Sequence, residues 1–366
     1  MLEITERVWE AAGYSGEEKG LRYWGFSYGT VLGMTYAAMF PERVERMVID
    51  GVMDIGDYYG GGWRRSLVDA DAVVDGFFTY CAGSADCAFT SDTPSAVEKR
   101  LHALLDAVER TPLPTYNAET PDWVSVDDIY TLIFWSLYNP IQRYPILARA
   151  LRDVEKGETS LITQLLHFHL DPPTCPAPPL GPNTGVEADS AILCTDGDTN
   201  NATLAEFESY LSHLNTQSKW IAGNWARIQM ACVGWIQPPL SQRGLLFTPP
   251  REGETVKTSY PLLFVGNTRD PVTPRGNAIA MQKRFEGSRL LTLEADGHCS
   301  LAVPSACGEV VIRGYFNGDA EGEGKETERC AANQRPFEGE TVAGWEVVGW
   351  DSVGDGGWAP KVPGWR

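Results

Sequence analysis

The sequence predicts an α/β fold, a mostly parallel sheet interrupted by a large, mostly helical insertion. Three observations carry this. Residues 21–50 read strand, helix, strand, the unit that builds a parallel sheet through a right-handed crossover. Residues 261–295 repeat the same order. Between them apolar residues recur at helical rather than strand spacing.

The chain opens on Ile4, Val8 and Ala11 or Ala12 at helical spacing, with Gly13 as the stop. LRYWGFS (21–27) is a short buried strand, GTVLGMTYAAMF (29–40) a helix closed by Pro41, and VERMVID (44–50) a second strand ended by Gly51. A helix follows the Thr93-Pro94 start signal, with Val97, Leu101, Leu104, Leu105 and Val108 on one face. Another carries Val126, Ile129, Ile133 and Leu137, with Ser125 as N-cap and Pro140 beyond its end. Leu204, Phe207, Leu211 and Leu214 mark a third. The proline-rich run from Asp171 to Pro182 reads as a long loop or hinge. The strand signal returns at PLLFVGN (261–267), followed by a helix over 276–285 and the strand SRLLTLEA (288–295). These divisions give a core of residues 1–60 and 256–318, a helical cap of 61–255, and a C-terminal extension of 319–366 without periodicity.

Composition limits the function. The 366 residues include 30 Lys and Arg against 49 Asp and Glu, a net charge of −19 at pH 7. That field repels a phosphate backbone and an anionic membrane surface, so neither nucleic acid nor membrane is an expected partner. No apolar run is long enough to span a bilayer. The first twenty residues lack the basic and apolar regions of a signal peptide. The eight cysteines and the sequon Asn201-Ala202-Thr203 point instead to an oxidising, extracellular setting, with a cytoplasmic enzyme holding buried thiols as the alternative. No C-x-x-C pair argues for zinc, and no metal or organic cofactor is implied. Cys81 and Cys87 flank a Gly, Ser and Asp turn and are expected to bridge locally.

The chemistry concentrates in three places. Gly25-Phe26-Ser27-Tyr28-Gly29 matches G-x-S-x-G where a strand passes into a helix, the context a nucleophile elbow requires. The turn forces strained backbone on Ser27, and the Tyr28 N–H is placed as an oxyanion donor at the helix start. A serine needs an adjacent base. Of His102, His167, His169, His213 and His298, only His298 (EADGHCS) lies just past a strand end, on the sheet edge where Ser27 emerges. The orienting carboxylate is expected to be Asp270, in VGNTRDPVTP after the preceding strand. Asp196 and Asp198 (CTDGD) and Asp296 compete, but Asp296 is too near His298 in sequence and Asp196 lies in the insertion.

YWGFSYGTVLG, FPERVERMVIDGVMD, AILCTDGD, GNTRDPVTP and GHCS together resemble the tripeptidyl aminopeptidase-like branch of the α/β-hydrolases, over roughly residues 1–335. The resemblance implies an α/β-hydrolase fold under a helical cap. It also implies a secreted, disulfide-bonded serine exopeptidase that releases short peptides from free N-termini through an acyl-enzyme. By it Ser27 is nucleophile, Asp270 orienter and His298 base, and the acidic cap, with Asp196 as candidate, holds the substrate ammonium. Against the family pattern, an H-G-G-P-G-type loop supplying a second oxyanion donor is not found, and the N-terminal strands of the fold are expected to be missing. Two alternatives stand beside the peptidase: an esterase or lactonase acting on a small ester metabolite, and an inactive remnant or binding protein.

Overall fold

The computed structural model describes residues 1–14, 19–115, 122–166, 185–197, 202–235, 247–318 and 326–338. Helix α1 (Leu2–Ala11) leads into β1 (Leu21–Phe26), α2 (Tyr28–Met39) and β2 (Val44–Asp50). Helix α3 (Ile55–Tyr59) comes next, and the cap follows with α4 (Ala70–Cys81), α5 (Pro94–Arg110), the antiparallel pair β3 (Leu113–Thr115) and β4 (Asp122–Val124), α6 (Val126–Ser136) and α7 (Pro140–Glu155). It continues through α8 (Ser160–Leu166), α9 (Gly185–Asp196), α10 (Leu204–Asn215) and α11 (Ala222–Met230). The chain then returns to the sheet as β5 (Leu263–Arg269), α12 (Arg275–Gln282), β6 (Arg289–Asp296), α13 (Ala306–Asn317) and β7 (Glu326–Ala331).

Among the described residues, five strands form the main sheet in the order β1-β2-β5-β6-β7, every neighbour parallel. A parallel sheet must be covered on both faces, and strand periodicity divides its side chains accordingly. Met47, Ile49, Phe264 and Leu290 pack toward α2, α12 and the cap. Val48, Leu263, Val265, Leu291 and Leu293 pack with Ile312 and Tyr315 of α13. Each such side chain contributes about 1.5–3 kcal/mol when fully buried, which pins strand register and with it the positions of the strand ends. Tyr315 adds a polar rivet: its hydroxyl donates to the Pro261 carbonyl at 2.8 Å and accepts from the Met47 N–H at 2.8 Å.

The cap is held by its own apolar faces. Val97, Leu101, Leu104, Leu105 and Val108 of α5 are buried, and the Thr93 side chain caps that helix by accepting from the Ala96 N–H. The capping box at Ser125 and Asp128 starts α6. Three disulfides are present among the described residues, Cys81–Cys87, Cys194–Cys232 and Cys307–Cys330. The first is the local bridge read from the sequence. The last joins α13 to β7.

Differences from the sequence reading are few. Strand β5 begins at Leu263 rather than Pro261, because proline has no N–H to give the ladder. Residues 326–331, expected within the C-terminal extension, form β7, which pairs with β6 at one edge of the sheet. Their signal was invisible because the alternation is short and charged, and pairing with β6 supplies the order. The proline-rich run 171–182, the sequon Asn201, Cys175, Asp198, His167 and His169 lie outside the described residues. No helix among the described residues is long and apolar enough to cross a membrane.

Candidate active site

Parallel strands deliver their C-terminal ends to one rim, and the three predicted residues all leave the sheet there. Ser27 follows β1, Asp270 follows β5 and His298 follows β6. Ser27 sits at φ 52°, ψ −118°, in left-handed territory that a side chain rarely enters. Two contacts hold this elbow. The Ser27 N–H donates to the Asp50 carbonyl at 3.0 Å, and the Ser27 carbonyl accepts from the Thr30 N–H at 2.8 Å. Gly25 is required by space, since a Cβ there would lie 2.5 Å from the Gly29 carbonyl oxygen. Tyr28 is the first residue of α2, so its N–H has no acceptor within the helix and adds to the positive pole there.

Asp270 is fully buried and heavily hydrogen-bonded. Its Oδ1 accepts from Val272 N (3.1 Å) and Thr273 N (2.8 Å). Its Oδ2 accepts from Thr273 Oγ1 (2.8 Å) and Cys299 N (2.9 Å). His298 Nδ1 lies 3.1 Å from each carboxylate oxygen. Burial on its own would raise this carboxyl, but the charge and hydrogen bond of His298 and the backbone N–H groups of Cys299 and Thr273 outweigh it and hold the pKa below the ordinary value. The carboxylate therefore stays ionised and fixes the proton of His298 on Nδ1.

His298 is pinned from outside as well. Its N–H donates to the Tyr138 carbonyl at 2.9 Å, and the Tyr138 ring meets the imidazole edge-on at 5.0 Å between centroids. Tyr138 belongs to the turn between α6 and α7, so the cap rests directly on the histidine. Nε2 is buried and without a hydrogen bond, and Ser27 Oγ does not close on it in this resting geometry. Such contacts commonly tighten only once substrate is bound. The elbow and the histidine loop nevertheless meet: the Asp50 carbonyl that accepts from Ser27 also lies 3.6 Å from the Cys299 thiol. That thiol is raised well above its ordinary pKa, by burial first and then by the charges of Asp50 and Asp270, so it stays protonated and does not compete as a nucleophile.

The competing acids have other partners. Asp296 makes a bidentate ion pair with Arg269 and accepts from the Tyr80 hydroxyl of α4 at 2.9 Å. Asp196, at the end of α9, accepts from the hydroxyls of Tyr28 (3.2 Å) and Tyr58 (2.9 Å). Both phenols are raised, by burial first and then by the Asp196 charge, and remain donors. Asp196 thus stands beside the residue that follows Ser27. The remaining described histidines are occupied elsewhere: His102 stacks on Trp220, and His213 Nε2 lies 3.0 Å from the Arg64 carbonyl.

Sequence reasoning missed several participants. Thr273 stands three residues after Asp270, a spacing at which side chains and backbone close small turns, and its hydroxyl is 3.0 Å from His298 Nδ1. Asp50, fully buried at the end of β2, accepts from Trp24 Nε1 (3.1 Å) and from the N–H (2.9 Å) and hydroxyl of Ser300. Burial raises its pKa to about 6. A carboxylate ending an apolar strand was the visible signal.

Residues 218–327 match the family model described as TAP-like protein. The chain is 29% identical over 336 residues to “Putative hydrolase YuaR” of Escherichia coli K12, covering 86% of this chain and 60% of that protein. It is 26% identical over 324 residues to the serine protease Hip1 of Mycobacterium tuberculosis, covering 83% and 56%. It is 25% identical over 304 residues to the tripeptidyl aminopeptidase of Streptomyces lividans, covering 79% and 51%. The chain thus spans between half and three-fifths of the length of these relatives. The resemblance first seen in five short motifs holds: this chain is similar to the TAP-like branch of the α/β-hydrolases and has that superfamily's parallel-sheet fold.

Proposed function

We propose that this chain carries a serine hydrolase site of the peptidase type, acting on short peptides with free N-termini. The observation that bears most weight is the buried Asp270–His298 pair, with Nδ1 on both carboxylate oxygens and Nε2 unengaged, on the same rim as the strained Ser27 elbow. In this reading Ser27 Oγ attacks the scissile carbonyl while His298 Nε2 takes its proton. The tetrahedral oxyanion is stabilised by the Tyr28 N–H at the start of α2. His298 then gives its proton to the leaving amine, and the acyl-enzyme remains. Water enters, loses a proton to His298 and attacks the acyl carbonyl; the bond to Ser27 breaks, His298 returns the proton to Oγ, and the short N-terminal peptide leaves as its acid. Asp270 stabilises the imidazolium in both halves without taking its proton.

Asp196 is the proposed anchor for the substrate α-ammonium. It joins the cap to Tyr28 and Tyr58, so a cation bound there lies one residue from the nucleophile, which favours short acyl groups. The names of two relatives, serine protease and tripeptidyl aminopeptidase, agree with this reading, and the three disulfides suit an oxidising compartment. The decisive comparison is a panel of free and N-blocked peptide amides beside aryl esters, with Ser27→Ala as control. Cleavage of free peptides, lost in the control, is expected. A preference for blocked substrates would end the aminopeptidase reading, and equal fluorophosphonate labelling of both proteins would remove Ser27 from the mechanism.

A further inference from the structure

The loop carrying His298 has a backbone that a chain avoids without help. Gly297 sits at φ 116° and Cys299 at φ 62°, so left-handed residues flank the histidine on both sides, one of them with a side chain. Its N–H groups are all fastened: Gly297 to the Arg269 carbonyl at 3.0 Å, His298 to Tyr138, Cys299 to Asp270 and Ser300 to Asp50. The carbonyls on either side of His298 turn inward, and one side chain receives both. Asn267 Nδ2 donates to the Gly297 carbonyl at 2.8 Å and to the Cys299 carbonyl at 2.7 Å.

An amide nitrogen has two protons, and here both are used to bracket the catalytic imidazole. Asn267 is fully buried in β5, three residues before Asp270, after the apolar run Leu263, Phe264 and Val265. Asparagine is a poor strand former. Its Oδ1 is buried without a hydrogen bond, a costly condition that an apolar residue at this position would avoid. What asparagine brings to this position is its two donors. Because the same strand end also delivers Asp270, one rigid element sets both members of the acid–base pair.

We propose that Asn267 is a positioning residue: by holding both carbonyls that flank His298 it sets the imidazole so that Nδ1 meets Asp270 and Nε2 faces the nucleophile. This rests on the Ser27–Asp270–His298 reading. The test uses Asn267→Leu, similar in volume and without donors, and Asn267→Asp, similar in shape and without the amide protons. Three quantities are read: kcat and KM on an aryl ester, the rate of fluorophosphonate labelling, and the far-downfield His298 Nδ1–H resonance in protein with labelled histidine. Expected are losses of about 10²-fold in kcat and labelling rate, the scale of a misplaced catalytic group. KM should change less than about threefold by the same reasoning, since substrate contacts are untouched. The Nδ1–H resonance should shift or vanish while the melting transition stays cooperative. A folded variant with the wild-type resonance and labelling rate overturns the proposal. Should both variants fail to fold, the wild-type protein still decides: the Asn267 side-chain amide protons should exchange as slowly as the β5 backbone, and rapid exchange overturns the clamp. If wild-type Ser27 does not label at all, the nucleophile reading fails, while the resonance still reports on Asn267.

Discussion

Two acidic groups of the candidate site, Asp270 and Asp196, are built in opposite ways. Asp270 lies at the sheet rim, fully buried, with backbone donors from its own turn, one from the histidine loop, a threonine hydroxyl and an imidazole. Asp196 hangs from the last residue of a cap helix, half-buried, with two phenols reaching it from 168 and 138 residues away. The first is fixed by strand ends and a tight turn, so its position follows from the core. The second depends on how the cap sits. On the proposed function the difference separates duties: the rim would hold what every acyl transfer needs, and the cap junction what distinguishes one substrate from another.

The largest effect that can test this division is at the rim. Asp270→Asn should keep the shape but give His298 the wrong tautomer, lowering kcat about 10⁴-fold. The loss should be equal for peptide and ester, measured side by side. A loss confined to peptides would mean that Asp270 works on the substrate rather than on His298, and the comparison would break.

A second rim prediction concerns stability. The Asp50 carboxyl is raised from 3.8 to about 6, by burial first, against the hydrogen bonds of Ser300 and Trp24 and the charge of His298. A raised carboxyl binds its proton more tightly in the folded chain, so folding stability falls as pH rises between about 4 and 6. The full contribution is about 3 kcal/mol. Asp50→Asn cannot ionise and should flatten that part of the stability profile in urea unfolding followed across pH. The slope will not vanish, because Asp69 is also raised to about 6, by burial and then by Asp270. An unchanged slope would show that the Asp50 carboxyl titrates alike in the folded and unfolded chain and is not raised by its burial.

The sequence-legible part of the molecule maps onto the same division. The positions of Ser27, Asp270 and His298 at strand ends could be read because strand, helix and turn are short-range patterns, and local turn residues surround each. The Asp196–Tyr58, Tyr80–Asp296 and Asp50–Ser300 contacts, across 138, 216 and 250 residues, follow from packing and leave no local trace. Strand β7 was missed for the same reason: its order comes from β6 and the Cys307–Cys330 bridge rather than from its own alternation. Asn267 did leave a mark, a polar amide closing an apolar strand, but its use becomes visible only when the Gly297 and Cys299 carbonyls are seen facing it.

At the cap junction, Asp196→Asn keeps the phenol contacts but removes the charge. If Asp196 anchors an ammonium, kcat/KM for a free-amine peptide should fall about 10–100-fold, the worth of a charge-assisted hydrogen bond. Aryl esters, which carry no ammonium, should be nearly unaffected. Equal losses on both substrates would move Asp196 from selectivity to support of the Tyr28 end of the elbow.

The smallest effect tests whether the two regions are independent at all. Tyr80 on cap helix α4 donates to Asp296, which is paired with Arg269; Arg269 precedes Asp270, and Asp296 lies two residues before His298. A polar bridge therefore runs from the cap to the backbone on both sides of the acid–base pair. Tyr80→Phe removes only a hydroxyl and leaves the bidentate Arg269 contact, so the loss in unfolding free energy should be about 1 kcal/mol. If the rim is as self-sufficient as the contacts of Asp270 imply, ester turnover will change by no more than that loosening, about threefold or less. A tenfold fall in kcat with stability nearly intact would mean that the cap transmits its position to His298 through Asp296, and the separation of duties between rim and cap would have to be given up.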